Sequence, residues 1–192
     1  MNLPLKHAAF AVLTLATLAL PARAEAQSRR LLGTPAVISR LERSEPREAA
    51  GPLLVPVMGV RPGQLRDTYR QSRSEGRTHH AIDIHAPRGT PVLAVADSRV
   101  RKLHAGDRGG LSVYLVDEDG VTRYYYAHLD AYAQGLREGQ QVQRGEVIGF
   151  VGDTGNAQPG DCHLHFSVAI LDDPAQWWEG RNLNPYDLLV RD

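Results

Sequence analysis

From residue 51 onward the chain consists of short apolar runs separated by clusters of Gly, Asp and Pro, with no long helical periodicity between them. A chain patterned this way satisfies its backbone by pairing strands. PVLAVA (91–96) and SRVRKLHA (98–105) flank Asp97, and LSVYLVD (111–117) and VTRYYYAHL (121–129) flank Glu118-Asp119-Gly120, a hairpin signal. EVIGFVG (146–152) runs into the turn cluster Asp153-Thr154-Gly155-Asn156, and HLHFSVAI (163–170) follows. Strands at this spacing predict a mostly β fold: one small antiparallel β-sheet domain over residues 51–192, with short helical turns. PAQWWEG (174–180) has room for one helical turn before LNPYDLLV closes the chain.

Two segments precede that domain. Lys6, the apolar run AAFAVLTLATLAL (8–20), Pro21 and Ala22-Arg23-Ala24 have the order of a secretory signal, so residues 1–24 are expected to be removed on export to the periplasm or the outside. The apolar run is too short for a comfortable permanent span, and no stable membrane insertion is expected after cleavage. Residues 25–50, interrupted by Pro35 and Pro46, read as a linker or a short surface helix. Formal net charge is zero, and removing residues 1–24 deletes Lys6 and Arg23 but no acid, leaving two net negative charges. Without a basic excess the chain has no electrostatic hold on nucleic acid or another anionic polymer. Cys162 is the only cysteine, so no intramolecular disulfide can form despite export; it reads as a small buried hydrophobe.

Of the eight histidines, His7 leaves with the signal. Six of the remaining seven fall in three segments. THHAIDIHAP holds His79, His80, Asp83 and His85; YYYAHLD holds His128; HLH holds His163 and His165; His104 stands alone. In an extended segment His79 and Asp83 share one face while His80, Ile82 and Ile84 take the other. An imidazole and a carboxylate so placed make half of a zinc site. A catalytic zinc uses three protein ligands and keeps a fourth position open, and His163 or His165 can complete the set. By the same alternation, Tyr124 and Tyr126 share a face with His128, where they read as core or sheet-surface aromatics or, alternatively, as lining of the groove. His80 is expected in the core or just behind the site and His104 in solvent; His85 shares the face of Asp83, where it is an ordinary structural histidine or, alternatively, a supporting partner.

HHAIDIHAPRGTPV, YAHL and HLHF resemble the three signature segments of the M23 (lysostaphin-type, LytM-like) zinc metallopeptidases. They occur in the family's order, and the resemblance covers residues 51–190. It implies Zn2+ held by His79, Asp83 and His165, with His128 and His163 as the catalytic pair. It also implies a small antiparallel β fold with the site in a groove, and peptidoglycan stem or cross-bridge peptides as substrate. Two positions depart from the family's usual glycine, Ala81 and Ser98, and an L-residue at 81 requires an extended backbone there. The alternative is a non-enzymatic activator or scaffold for other cell-wall hydrolases, as in relatives that have lost ligands; this chain keeps all five residues. The absence of H-E-x-x-H sets it apart from thermolysin-like enzymes.

Overall fold

A computed structural model describes residues 53–191; the expected signal peptide and linker, residues 1–24 and 25–50, lie outside the described residues. Nine strands form one antiparallel sheet: β1 (Ile82–His85), β2 (Pro91–Leu93), β3 (Ser98–Gly106), β4 (Gly110–Asp117), β5 (Thr122–Tyr132), β6 (Gln141–Val142), β7 (Val147–Val151), β8 (His163–Ile170) and β9 (Arg181–Leu183). The main path runs β1-β8-β5-β4-β3-β6, with β7 joining β5 to β2 and β9 paired to β8. The mostly β antiparallel fold is as expected. Among the described residues no helix is long and apolar enough to cross a membrane.

Alternation gives the sheet two faces with different duties. In β8, Leu164, Phe166 and Val168 are fully buried in the core, joined there by Ile82 and Ile84 of β1, Val113 and Leu115 of β4, and Tyr124 and Tyr126 of β5. The core tyrosines have partners for their hydroxyls: that of Tyr126 accepts a hydrogen bond from the Val95 backbone N–H at 3.1 Å, and that of Tyr124 donates to Asp117 Oδ2 at 2.7 Å. The other face carries the chemistry. Cross-strand register sets Asp83 beside His165 and His165 beside Ala127, and one row further along it aligns Ser167, Tyr125 and Tyr114.

β5 changes partners part-way. Thr122–Ala127 pair with β8, whereas Leu129–Tyr132 pair with β7. At the changeover His128 adopts φ 61°, and Ala127 and His128 together span the step that Ser112 alone spans on β4. This is a β-bulge built on a left-handed residue. It shifts the alternation by one, so Tyr124 and Tyr126 do not share a face with His128: both point into the core, and Tyr125 is the tyrosine beside His128.

The helical turn expected over 174–180 is also displaced. That segment makes two successive turns, with Gln176 N–H on the Asp173 carbonyl and Glu179 N–H on the Gln176 carbonyl, both at 2.9 Å. The helix forms later, α1 (Pro185–Leu189), where the Asn184 side chain caps the Tyr186 N–H at 3.1 Å and Pro185 supplies the first helical position. Cys162 is half-buried and packs against the core rather than lying within it.

Candidate metal centre

His79 reaches the site from a hairpin that precedes β1. Its N–H bonds the Gln71 carbonyl at 2.9 Å, and the Arg73 N–H bonds the Arg77 carbonyl at 2.8 Å. Thr68 then ties the first two candidate ligands together. Its carbonyl accepts from His79 Nδ1 at 3.0 Å, and its hydroxyl accepts from the Asp83 N–H at 3.1 Å. A carbonyl can only accept, so Nδ1 of His79 carries the proton and Nε2 presents a bare lone pair.

Three atoms converge. His79 Nε2 lies 3.0 Å from Asp83 Oδ1 and 3.0 Å from His165 Nδ1, and His165 Nδ1 lies 3.2 Å from Asp83 Oδ1. Metal–ligand distances of about 2.0–2.1 Å in a tetrahedron require donors about 3.3 Å apart. The triangle therefore has the size of one face of a tetrahedral zinc site, and its nitrogen–nitrogen–oxygen donor set is one zinc accepts. The second carboxylate oxygen, Oδ2, is occupied by the Arg73 guanidinium, which leaves Oδ1 as the free donor. Burial alone would raise the Asp83 carboxyl, but the His165 and His79 rings set against Oδ1 outweigh it and hold the group far below the ordinary carboxylate range. Burial lowers His165 and favours its neutral form, which is the form that binds metal.

His128 and His163 flank this triangle, with ring centres 4.9 Å apart; His128 lies 5.7 Å from His165. Both rings are fixed through Nδ1, His128 to the Thr154 carbonyl and His163 to the Asp161 carbonyl, each at 2.8 Å. Nε2 is thereby the bare nitrogen of each ring; that of His163 stands 3.9 Å from Asp83 Oδ1. Desolvation lowers the His128 pKa to about 4, so the ring is neutral at physiological pH. The bulge holds it in place: its N–H bonds the Gly109 carbonyl at 2.8 Å, and the Thr154 hydroxyl bonds the Leu129 carbonyl at 2.7 Å. Gly155 lets the two loops meet, since a Cβ there would lie 2.3 Å from Gly110 N and the residue has φ 78°.

All five predicted residues thus line one groove of about 520 Å³, with Arg73, Tyr125 and Asn156 among its other walls. The remaining histidines divide. His104 is exposed as expected. His85 stands beside His163, ring centres 5.3 Å apart, with Nε2 3.2 Å from Asp161 Oδ1. His80 is neither core nor support: φ 54° turns it into solvent against Tyr69, while Ala81 next to it is fully buried and avoids the left-handed region. Sequence reasoning missed Thr68, Arg73 and Tyr125. The first two come from a loop with no motif of its own, and the third was hidden by the bulge.

Residues 77–185 match Peptidase family M23. The chain belongs to family M23. It is 32% identical over 128 residues to the L-Ala--D-Glu endopeptidase of Bacillus subtilis (63% of this chain, 38% of that protein). It is 43% identical over 100 residues to DD-carboxypeptidase/endopeptidase Mpg of Neisseria meningitidis (51% of this chain, 21% of that protein). The chain thus spans about a fifth to two fifths of these relatives' lengths. Its fold aligns with a zinc-containing peptidase from Vibrio cholerae at TM-score 0.56 and 25% identity, over 70% of this chain and 39% of that one.

Proposed function

We propose that this M23 protein is an exported zinc metalloendopeptidase that hydrolyses peptide cross-links of peptidoglycan, in the periplasm or outside the cell. The convergence of three lone-pair donors 3.0–3.2 Å apart, with two further imidazoles beside them, supports this reading best. His79 Nε2, Asp83 Oδ1 and His165 Nδ1 would hold the ion. When bound, zinc supplies a Lewis acid that polarises a carbonyl and acidifies water.

The protein's own residues do the rest. Asp83 is ionised, with Arg73 paired to Oδ2, so the seat is negative at Oδ1 and preformed. His128, neutral and bare at Nε2, receives a proton there; once protonated, it has one to return to a leaving amine. His163 is held in the same tautomer beside it; bare at Nε2, it shares the proton-accepting role, and once protonated there it can donate a hydrogen bond to a developing oxyanion.

His165→Ala and His128→Ala separate the two roles. The first is expected to lose both metal and hydrolysis. The second is expected to keep one equivalent of zinc while turnover falls about 10²–10⁴-fold. Metal analysis, with chromatography of peptides released from sacculi and from defined cross-linked dimers, checks both. Loss of metal in His128→Ala would overturn the ligand assignment. A zinc-free wild-type protein that releases nothing yet stimulates an amidase would replace the enzyme reading with the activator one.

A further inference from the structure

The sheet face that carries the metal donors continues past the groove. One row along the strands from Asp83, His165 and Ala127 come Ser167, Tyr125 and Tyr114. The Tyr125 ring stands edge-on to His165 with centres 6.0 Å apart and lies 4.4 Å from Tyr114. Tyr114 meets Trp177 at 4.7 Å, and Trp177 meets Trp178 at 5.4 Å. Four aromatic rings therefore run from the metal donors to an outer edge, where Trp178 is 54% exposed. Beneath that edge sits Arg123, 6% exposed, whose guanidinium donates to the Trp178 carbonyl at 3.0 Å and the Trp177 carbonyl at 3.5 Å and lies 6.0 Å from the Tyr114 ring centre. A buried guanidinium is costly unless it is hydrogen-bonded. Here its contacts pin the backbone of the tryptophan turn.

We propose that Tyr125, Tyr114, Trp177 and Trp178 form a platform for the sugar rings of the glycan strand that bears the substrate peptide. The proposal rests on the peptidase reading of the groove. Three observations select this occupant. The row begins at Tyr125, itself a wall of the groove, so a ligand on it is continuous with whatever the metal donors face. The row is made of aromatic rings that carry phenol hydroxyls and indole N–H groups at their edges, with Trp178 exposed at its end, and this pairing of apolar ring with polar edge matches a pyranose with its C–H face and polar rim. The two tyrosines lie on β4 and β5, strands paired on both sides, so this part of the face has no free strand edge to which an extended peptide could add.

The chain has two tryptophans, and both sit in this turn, so intrinsic fluorescence reads the platform directly. The full-length zinc-loaded protein is titrated with peptide-free glycan strands. A saturable change in emission is expected, with binding weakened roughly tenfold in Trp178→Ala and largely restored in Trp178→Tyr. On intact sacculi Trp178→Ala is expected to raise KM by a similar factor with little change in kcat. Absence of a saturable change, or wild-type binding by Trp178→Ala, would overturn the platform. So would an equal loss by Trp178→Ala on glycan-free cross-linked peptide dimers, which would assign the row to peptide instead. If the wild-type protein hydrolyses neither sacculi nor dimers, the peptidase reading fails by itself, and the titration still decides the platform.

Discussion

Asp83 has two oxygens with separate duties: Oδ1 faces the two histidine nitrogens and Oδ2 is held by Arg73. Removing that guanidinium frees the carboxylate to rotate and withdraws the charge that keeps it oriented. Arg73→Met is therefore expected to weaken zinc affinity about 10–100-fold without unfolding the protein, as measured by competition with a chromophoric chelator. Unchanged affinity would show that Thr68 alone fixes the ligand. None of this was legible in the chain, because Arg73 belongs to no motif and its contact depends on how residues 68–80 fold back. The ligand residues themselves were legible: His79, Asp83 and His165 could be named because their spacing matched segments of known order. Tyr125 could not, since alternation extrapolated back from His128 selects Tyr124 and Tyr126.

At the scale of elements, β5 is the strand on which the architecture turns. It pairs with β4 along one side and with β8 and then β7 along the other, and it contributes Tyr124 and Tyr126 to the core and Tyr125 to the groove. Tyr126 also satisfies the backbone of residue 95, beyond the end of β2. Tyr126→Phe leaves that buried N–H without its acceptor and is expected to cost about 1–3 kcal/mol in urea unfolding at unchanged m. A smaller loss would mean that the Val95 N–H finds another acceptor. The long strands were readable because their apolar runs are bounded by Gly and Asp turns. Short β6 and β9 were not, being defined by their partners rather than by a periodicity of their own. The helix at Pro185–Leu189 carried a local signal, Asn184 followed by Pro185, that outranks the tryptophan segment before it.

For the whole molecule, the metal donors come from both strands of the β1–β8 pair and from the loop ahead of it, so an ion would bridge segments 86 residues apart in the chain. A ligand that binds only the folded state stabilises it by mass action. Zinc at about 100 times its Kd is expected to raise the Tm by roughly 5–10 °C. A chelator should reverse that gain, and His165→Ala should show none of it; scanning calorimetry with and without chelator is the measurement. An equal shift in His165→Ala would place the stabilising ion elsewhere.

The bulge at His128 also limits how this fold can drift over generations. Surface turns such as Glu118-Asp119-Gly120 can gain or lose a residue with little consequence for the groove. One codon deleted at 127 or 128 would erase the bulge and exchange inside for outside along one arm of β5. Length changes should therefore accumulate everywhere in this lineage before they reach that step.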